Sequence, residues 1–398
     1  MGPLEGLKVV DLTHVMAGPT CTLMLADMGA DVVKIERIPG GDDTRRSIPP
    51  TIDGESAAFM MMNRNKRGVA LDLKTEGGRR VLRRLLRDAD VLVENYRPGT
   101  LARLGFDYED LRRDNPGLIY CALSGFGRTG PYGHRGGFDL VAQAMSGIMS
   151  ITGEGPGRPP VKCGAPLTDI TCGIIAAMGV LAAYAHRLKT GRGQMVDTSL
   201  FEAGIVQTYW QSAIALATGI APQPMGSAHP LSAPYQAFET ADGWIVIGGS
   251  NQRNWLRMLE ALEAEHLADD PRFRENADRM GHLQELEAAL APYFKARASE
   301  DLLGRFEELG VPAGPVYDIN QMHQDPQVLA RKMVVEVEHT KLGPVRTIGL
   351  PVKFSDTPGE VAHGAPLFGQ HTDEILRECG FADAEIDDLL AEGAVADR

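Results

Sequence analysis

Basic side chains follow two predicted strands in the N-terminal half of the sequence, where they could bind an anion. Arg37 comes directly after a strand that ends at Glu36, and Arg97 follows a strand that ends at Glu94. Ligands of parallel sheets bind beyond the carboxyl ends of the strands, and guanidinium groups bind phosphate and carboxylate. Any one such residue alone is typical of a solvated surface. Together they favour an anionic ligand, since the same region also holds Arg45, Arg46, Arg64, Lys66, Arg67, Lys74 and Arg103.

Asp169 stands directly before the most apolar run of the sequence, Ile170 to Ala185, which has 16 residues. A helix that spans a bilayer needs about twenty apolar residues, so this run predicts a buried helix. One interpretation makes Asp169 the N-cap of that helix, a position that aspartate fills well. The other makes it a covalent nucleophile, because the positive end of the helix dipole would hold the carboxylate ionised.

Gly125 to Gly130 matches the pattern G-x-G-x-x-G and follows a predicted strand. A dinucleotide-binding motif opens directly into a helix, whereas here more loop follows, from Pro131 to Gly137. We therefore predict a glycine-rich loop that lines a cleft, and an NAD-dependent oxidoreductase is the alternative from another class. His14 follows the first strand and could face the cleft. The other candidate histidines are His134 in the loop and His371 before a helix start.

The composition limits the class of protein. The 398 residues are 43% hydrophobic and 23% charged, which is ordinary for a globular chain of two or three domains. Forty basic and fifty-three acidic side chains give a net charge of −13, which argues against nucleic acid or an anionic membrane as a partner. The five cysteines form no C-x-x-C pair, and no histidine cluster has metal-ligand spacing. This pattern predicts no metal and a reduced, cytoplasmic protein.

Strands and helices alternate in the first part of the sequence, which is typical of a parallel sheet covered on both faces. The predicted elements are, in chain order, strand 7–12, helix 18–27, strands 31–36 and 69–73, helix 75–88, strand 91–94, helix 107–113 and strand 118–123. Residues 165–217 are predicted to be mainly helical, with a strand at 195–198. After a proline-containing linker at 221–226, the prediction is a hairpin over 235–247, three helices and a hairpin over 333–348.

Six segments carry motifs in order over nearly the whole chain. They are Leu4–Pro19, Ala26–Glu36, Asn63–Arg67, Val93–Gly99, Lys189–Gln194 and Leu367–Glu374. Together these segments resemble the family III coenzyme A transferases. The resemblance implies an enzyme that moves CoA from an acyl-CoA donor to a free carboxylic acid. It also implies mixed-anhydride and aspartyl-CoA thioester intermediates on an aspartate, and the matching residue is Asp169.

The resemblance implies that a CoA thioester is a substrate and that no cofactor is bound permanently. Arg37 and Arg103 would meet its phosphates, and Leu71 and Tyr96 would flank the adenine. The implied CoA-binding residues are His14, Val15, Met16, Ala17, Arg37, Leu71, Lys74, Asn95, Tyr96, Arg97, Arg103, Arg135, Gly136, Gly137 and Phe138.

The motifs look closer to the branch that uses succinyl-CoA and dicarboxylates such as glutarate or malate than to the formyl-CoA transferase branch. Met16 stands where the latter has glutamine, and its glycine tetrad corresponds here to Gly226–Pro230. The segments Ser227–His229 and Pro234–Phe238 favour the dicarboxylate branch. Three residues are candidates for holding the acid's distal carboxylate: Arg45, Arg46 and His229.

The family also contains α-methylacyl-CoA racemases, which are the alternative function. A racemase needs a base on each side of the acidic carbon, and the family's histidine base corresponds here to Phe138. Phenylalanine cannot transfer a proton, so the sequence favours a transferase.

The resemblance implies an α/β fold, with a Rossmann-like large domain, a smaller α+β domain and an interlocked homodimer. The expected boundaries are 1–220 for the first part of the large domain, 221–330 for the small domain, and 331–398 for a segment that returns to the large domain. The expected partners are an acyl-CoA, a small carboxylic acid and a second copy of the chain, without nucleic acid or membrane.

Overall fold

The computed structural model describes residues 2–397 of the chain. Strands and helices alternate through its first part. In chain order the elements are β1 (Lys8–Asp11), α1 (Ala17–Asp27), β2 (Asp31–Arg37), β3 (Thr51–Ile52), β4 (Glu55–Ser56), α2 (Ala57–Asn63), β5 (Lys66–Leu71), α3 (Glu76–Arg87), β6 (Val91–Glu94), α4 (Thr100–Arg103), α5 (Tyr108–Asp114), β7 (Ile119–Ser124), α6 (Asp139–Met145), α7 (Ile148–Ile151), α8 (Leu167–Thr190), β8 (Met195–Ser199) and α9 (Leu200–Val206).

The second part contains more helices and two antiparallel sheets. Its elements are α10 (Tyr209–Thr218), β9 (Tyr235–Glu239), β10 (Trp244–Gly248), α11 (Gln252–Leu262), α12 (Asn276–Gly281), α13 (Leu283–Lys295), α14 (Ser299–Glu308), β11 (Ala313–Pro315), α15 (Ile319–Gln324), α16 (Pro326–Ala330), β12 (Val334–His339), β13 (Gly343–Ile348), α17 (Thr372–Glu378), α18 (Asp383–Ala391) and β14 (Val395–Ala396). Short 3₁₀ helices cover Asp43–Arg46 and Glu265–Ala268.

Seven strands form one large sheet in the order β14–β5–β2–β1–β6–β7–β8. All neighbouring strands are parallel except β14, which pairs antiparallel with β5. The chain places β2 and β5 on one side of β1, and β6, β7 and β8 on the other. The order therefore reverses between β1 and β6, and such a switch point leaves a crevice beyond the carboxyl ends of the strands. The predicted parallel α/β sheet is confirmed.

Alternate residues of the central strands serve opposite faces of this sheet. Val9 and Val32 lie in a core shared with α1 and α8, whereas Val10 and Val33 lie in a core shared with α3. Because both faces are covered, the strands are apolar almost throughout, as parallel strands usually are. The helices on the two faces hold the strand ends rigidly in place.

The two helices α1 and α8 pack closely enough that a glycine is required between them. A Cβ added at Gly173 would lie 2.5 Å from the carbonyl oxygen of Ala17 and 2.5 Å from Cβ of Thr20. Cys21, Cys172 and Ala176 complete the packed surface. This contact brings the beginning of α1 beside the first turns of α8.

The prediction that the apolar run forms a buried helix is correct for one face of α8 only. Cys172, Ala176 and Val180 are buried on the inner face. Ile174, Met178 and Leu188 are 49%, 63% and 71% exposed on the other. Among residues 2–397, α8 is the one helix long and apolar enough to cross a membrane by length and composition.

The described chain forms two compact units. The larger comprises residues up to Ile148, Cys163–Gln207 and residues from Pro326 onward, and the smaller comprises Met149–Lys162 and Thr208–Asp325. The smaller unit contains the antiparallel sheet β9–β10–β11 around a core with Trp255 and the stacked rings of Phe238 and Phe294, 4.2 Å apart. The division into folding domains at 220 and 330 stays a prediction.

We expect Gly173→Ala to destabilise the protein because the new methyl group has no room between α1 and α8. Overpacking of this kind costs about 1–3 kcal/mol in the free energy of unfolding. The control is Gly304→Ala, in α14, where no atom lies within 4 Å of the added Cβ. Urea denaturation of the two variants checks the prediction, and equal midpoints would contradict it.

Candidate functional site

A cavity of about 400 Å³ opens where β1, β6 and β7 end. This is the switch point of the sheet, where ligands of open α/β sheets bind. A cavity of this volume can hold a small organic group. The lining residues are His14, Val15, Met16, Ala17, Asn95, Tyr96, Arg97, Pro98, Thr100, Leu123, Ser124, Gly125, Arg135, Gly136, Gly137, Phe138, Asp169 and Leu200.

The segment His14–Ala17 forms one wall of this cavity between β1 and α1. Asn95, which follows β6, holds the segment through both backbone groups of His14. The Asn95 amide oxygen accepts from the His14 N–H at 3.0 Å, and its nitrogen donates to the His14 carbonyl at 2.8 Å. The His14 ring packs edge-on against Tyr96, with 5.1 Å between centroids. Burial lowers the pKa of His14, which favours its neutral form.

The glycine-rich loop after β7 forms a second wall, as predicted. Its two ends touch, since a Cβ added at Gly137 would lie 2.5 Å from the Cα of Gly125. Within the loop, Arg128 forms an ion pair of 2.9 Å with the buried Glu94 at the end of β6. No helix begins between residues 125 and 138. The loop therefore lacks the geometry of a dinucleotide-binding motif.

Asp169 lies in the first turn of α8 and faces the cavity. It is not the N-cap, because the helix begins at Leu167 and Pro166 occupies the cap position. Within residues 2–397, its carboxylate accepts no hydrogen bond and forms no ion pair. Since Pro166 occupies the cap position, the cap interpretation is wrong, and the half-buried carboxylate is left without a hydrogen-bonding partner.

Burial, followed by the negative charge of Asp139, raises the pKa of Asp169 to about 6. Both effects act against the ionised form, in the direction opposite to the stabilisation expected from the helix dipole. Asp139 is fixed beside the helix start: its Oδ1 accepts from Thr168 N at 2.9 Å and from Thr168 Oγ1 at 2.8 Å. Asp169 remains mainly ionised at neutral pH, and its raised basicity makes it a stronger nucleophile.

Four of the sequence-predicted site residues lie outside the cavity. Arg37 lines a small adjoining crevice, which it shares with His14 and Tyr96. Leu71 is buried in the core against which Tyr96 packs. Arg103 donates to the hydroxyl of the cavity residue Thr100 at 3.2 Å, and Lys74 is exposed on the turn after β5.

Most of the other basic residues in the N-terminal half serve the fold instead of a ligand. Arg45 binds Glu36 through two nitrogens at 2.7 Å, and Arg46 forms an exposed pair with Asp43; neither lines the cavity, so their role with a distal carboxylate stays a prediction. His229 lies in the smaller unit, against Trp210 and Tyr235. Three more of the basic residues named from the sequence form ion pairs: Arg64 with Asp27, Lys66 with Asp11, and Arg67 with Asp31, Glu374 and Glu378.

Sequence reasoning missed five lining residues. Pro98 and Thr100 lie just after a predicted site segment, Leu123 ends a predicted strand and Ser124 follows it, so the rule of strand ends could have found all four. No feature of the sequence predicted that Leu200 would line the cavity. Neither His134 nor His371 lines the cavity, and no group of three potential metal ligands occurs in the part of the chain that the structure describes.

Comparison with known proteins identifies the family. The model of CoA-transferase family III matches residues 4–372. The chain belongs to CoA-transferase family III. It is therefore an enzyme that uses CoA thioesters as substrates.

Similar members of this family are found in distant organisms. A succinate–glutarate CoA-transferase of Agrobacterium fabrum is 40% identical, with 94% of this chain and 95% of the relative covered. A succinyl-CoA:mesaconate CoA-transferase of Haloarcula marismortui is also 40% identical, covering 96% and 97%. A crystal structure of a CaiB/BaiF family protein from Brucella suis is 39% identical, with a TM-score of 0.84 and coverage of 95% and 99%.

The pKa of Asp169 predicts the pH dependence of this CoA-transferase. If the carboxylate must be ionised to react, kcat/KM should fall about tenfold per unit as the pH drops below 6. Asp139→Asn removes the neighbouring negative charge and should lower the pKa of Asp169, which moves the acid limb to lower pH. A pH–rate profile measures both. The exposed control Asp269→Asn should leave the limb in place, and an unmoved limb in Asp139→Asn would reject the coupling.

Proposed function

We propose that this enzyme transfers CoA from succinyl-CoA to a free dicarboxylate through covalent intermediates on Asp169. The observation that carries the proposal is a carboxylate without partners, raised in pKa, that lines a cavity at the switch point of the sheet. Such a group has the properties of a nucleophile for a thioester.

The chemistry requires an ionised carboxylate and no base. An oxygen of Asp169 attacks the thioester carbon, the C–S bond breaks, and CoA leaves as a thiolate. The thiolate then attacks the aspartyl carbonyl, which releases the first acid and leaves an aspartyl-CoA thioester. The acceptor carboxylate displaces the thiolate from that thioester to form a second anhydride. The thiolate finally attacks the acceptor's carbonyl, which yields the new acyl-CoA and restores Asp169.

The side chains around Asp169 fit this scheme. No step moves a proton, so Phe138, which is 76% exposed on the cavity wall, is no obstacle to transfer. A racemase would need a proton-transferring group there, which disfavours that alternative. Water would convert either intermediate into an acid and free CoA, so the cavity must close on its substrate.

We propose that the residues implied to bind CoA act in two groups. Those that line the cavity, at 14–17, 95–97 and 135–138, would surround the pantetheine arm and the thioester. Arg37, Lys74 and Arg103 would hold the nucleotide part outside it, and the buried Leu71 would support Tyr96 from the core side. Binding energy from this remote handle can position the reacting carbon.

The names of the relatives support the choice of acid. Glutarate and mesaconate are both dicarboxylates, and both relatives are named for succinate or succinyl-CoA. We infer the same donor and the same class of acceptor here.

Mixing the enzyme with succinyl-CoA and a panel of acids should produce new acyl-CoA thioesters, identified by mass. We expect glutarate, malate or mesaconate to react faster than acetate. Oxalate belongs in the panel, since it tests whether a short dicarboxylate is accepted. Release of free CoA alone with every acid would mean hydrolysis and would reject the proposed transfer.

Asp169→Ala should abolish transfer while leaving the fold intact, because the nucleophile is removed. Mass spectrometry of the wild-type protein mixed with succinyl-CoA should find an adduct on the peptide that contains Asp169. A control is Asp269→Ala, since Asp269 is an exposed aspartate that does not line the cavity and should leave transfer unchanged. Retained turnover in Asp169→Ala would exclude the nucleophile.

We further propose a homodimer in the cytoplasm, interlocked as the family resemblance implies, with the large domain built from both chain ends. Apolar surface supports association. The outer face of α8 exposes Ile174, Met178 and Leu188, and α10 has no buried residue although it carries Tyr209, Trp210 and Leu216. Exposed apolar side chains along one helix often mark an interaction surface, and each of these two helices carries such a set.

Ile174→Glu should weaken the dimer because it places a charge in the proposed interface. Light scattering after size exclusion should give the mass of two chains for the wild type and a smaller mass for the variant. Ile52→Glu is the control, since both isoleucines are 49% exposed but Ile52 lies on the short β3–β4 hairpin. A wild-type monomer would reject the dimer.

A further inference from the structure

We propose that Asp42 is a positioning residue for acyl transfer, which holds the cavity wall His14–Ala17 in its reactive conformation by fixing Val15 in a left-handed backbone geometry. The inference rests on the proposed function for its activity test, and a second test below does not depend on turnover. Asp42 does not line the main cavity; its buried side chain lies at the adjoining crevice, and we assign its effect to the wall.

Val15 has an unusual backbone conformation for its residue type. Its φ is +69°, in the left-handed region, where a β-branched side chain is a rare exception. Residues held in this region tend to lie at functional sites, and they persist only where surrounding groups enforce them. Val15 lies in the middle of the wall, between His14 and Met16.

Three side chains from other segments enforce the conformation through backbone groups on both sides of His14. Lys34 in β2 donates to the carbonyl of Thr13 at 2.8 Å. Asn95 binds both the N–H and the carbonyl of His14. Oδ1 of Asp42 accepts from the N–H of Val15 at 3.2 Å. Four consecutive polar groups of the backbone are thus fixed, and Asp42 is the contact nearest the strained residue.

The side chain of Asp42 is itself fixed by burial, an ion pair and hydrogen bonds. Its side chain is 1% exposed and forms an ion pair of 2.9 Å with Lys34, whose side chain is 0% exposed. Its Oδ1 also accepts from Thr44 N at 2.9 Å and Thr44 Oγ1 at 2.8 Å. The backbone N–H of Asp42 donates to Glu36 at 3.0 Å. Buried charges are unfavourable unless they are paired as closely as Asp42 and Lys34. A turn that only connected two elements at the surface would not need buried charges.

The arrangement predicts what happens when the contact is lost. Without Asp42, Val15 can relax to a negative φ, and the wall that faces Asp169 moves with it. Small displacements of positioning groups reduce reaction rates strongly, because the reacting atoms must be aligned closely. Glycine tolerates a positive φ without steric cost, so a glycine at position 15 makes the wall less dependent on the clamp.

A double-mutant cycle tests this dependence with succinyl-CoA and glutarate. We expect Asp42→Ala to lower kcat/KM about tenfold or more with Val15 present, but to lower it about threefold or less in the Val15→Gly background. Asp42→Asn can still accept from Val15 and Thr44 and should keep more activity than Asp42→Ala. Equal losses from Asp42→Ala in both backgrounds would overturn the proposal.

A matched control separates positioning from stability. Asp27 is a fully buried carboxylate that pairs with Arg64 at 2.6 Å, at the far end of α1 from the cavity. Asp27→Asn should destabilise the fold, yet its effect on kcat/KM of the folded enzyme should be the same with and without Val15→Gly. An interaction with Val15→Gly as large as that of Asp42→Ala would attribute the effect to general loosening and reject the specific role.

Amide hydrogen exchange tests the clamp without any turnover. Asp42→Ala should raise exchange in a peptide that covers residues 13–18, while Asp27→Asn should leave that peptide protected. If transfer is absent in the wild type but this pattern holds, the proposed reaction fails and the clamp stands. Unchanged protection in Asp42→Ala, with the fold intact by circular dichroism, would overturn the clamp itself.

Discussion

The close contact between α1 and α8 is the constraint on which the site depends. Gly173 lets the carbonyl of Ala17 approach α8 within a distance that no side chain would allow. Ala17 ends the wall that follows β1, and Asp169 lies one turn before Gly173 on α8. The same packing that buries the inner face of α8 therefore sets a carboxylate opposite that wall. This contact supports both the core and the site, so a substitution that disturbs it affects both.

Buried charges occupy the opposite side of this wall. Burial alone would raise the pKa of Asp11, but Lys66 and Lys34 lower it to about 2, and burial lowers the pKa of Lys66 to about 8. Removing one member of such a pair typically costs about 3–5 kcal/mol, because the partner is left charged in an apolar medium. The network connects the carboxyl end of β1 with the middle of β2 and the start of β5, and so helps to fix the crevice at the end of β1. A purely apolar core would pack these strands but would offer no groups to hold an irregular loop.

Much of the fold could be predicted, because parallel strands and amphipathic helices leave patterns in the sequence. The predicted strand at 91–94 agrees with β6, whereas β5 begins at Lys66 instead of 69 because a charged residue is buried there against Asp11. Asp169 could be predicted as a candidate, but its raised pKa could not, because the shift depends on burial and then on the charge of Asp139, thirty positions away. The sequence also did not show that Ile174 and Met178 are exposed, because an apolar run does not reveal which face of its helix is buried.

Some basic residues form ion pairs with carboxylates and others do not, and this difference explains how an acidic protein can bind an anionic substrate. The net charge is −13, and arginines such as Arg45, Arg64 and Arg67 are neutralised by carboxylates of the fold. Among residues 2–397, Lys74, Arg97, Arg103 and Arg135 of the set proposed to bind CoA have no carboxylate partner, as is also true of cations elsewhere such as Arg80, Arg192 and Arg253. Arg37 is the exception, since it pairs with the exposed Asp43. An exposed pair of this kind is worth little, so a phosphate could displace Asp43 at small cost. Positive charge is therefore available where the substrate's phosphates are proposed to lie, although the chain as a whole is acidic.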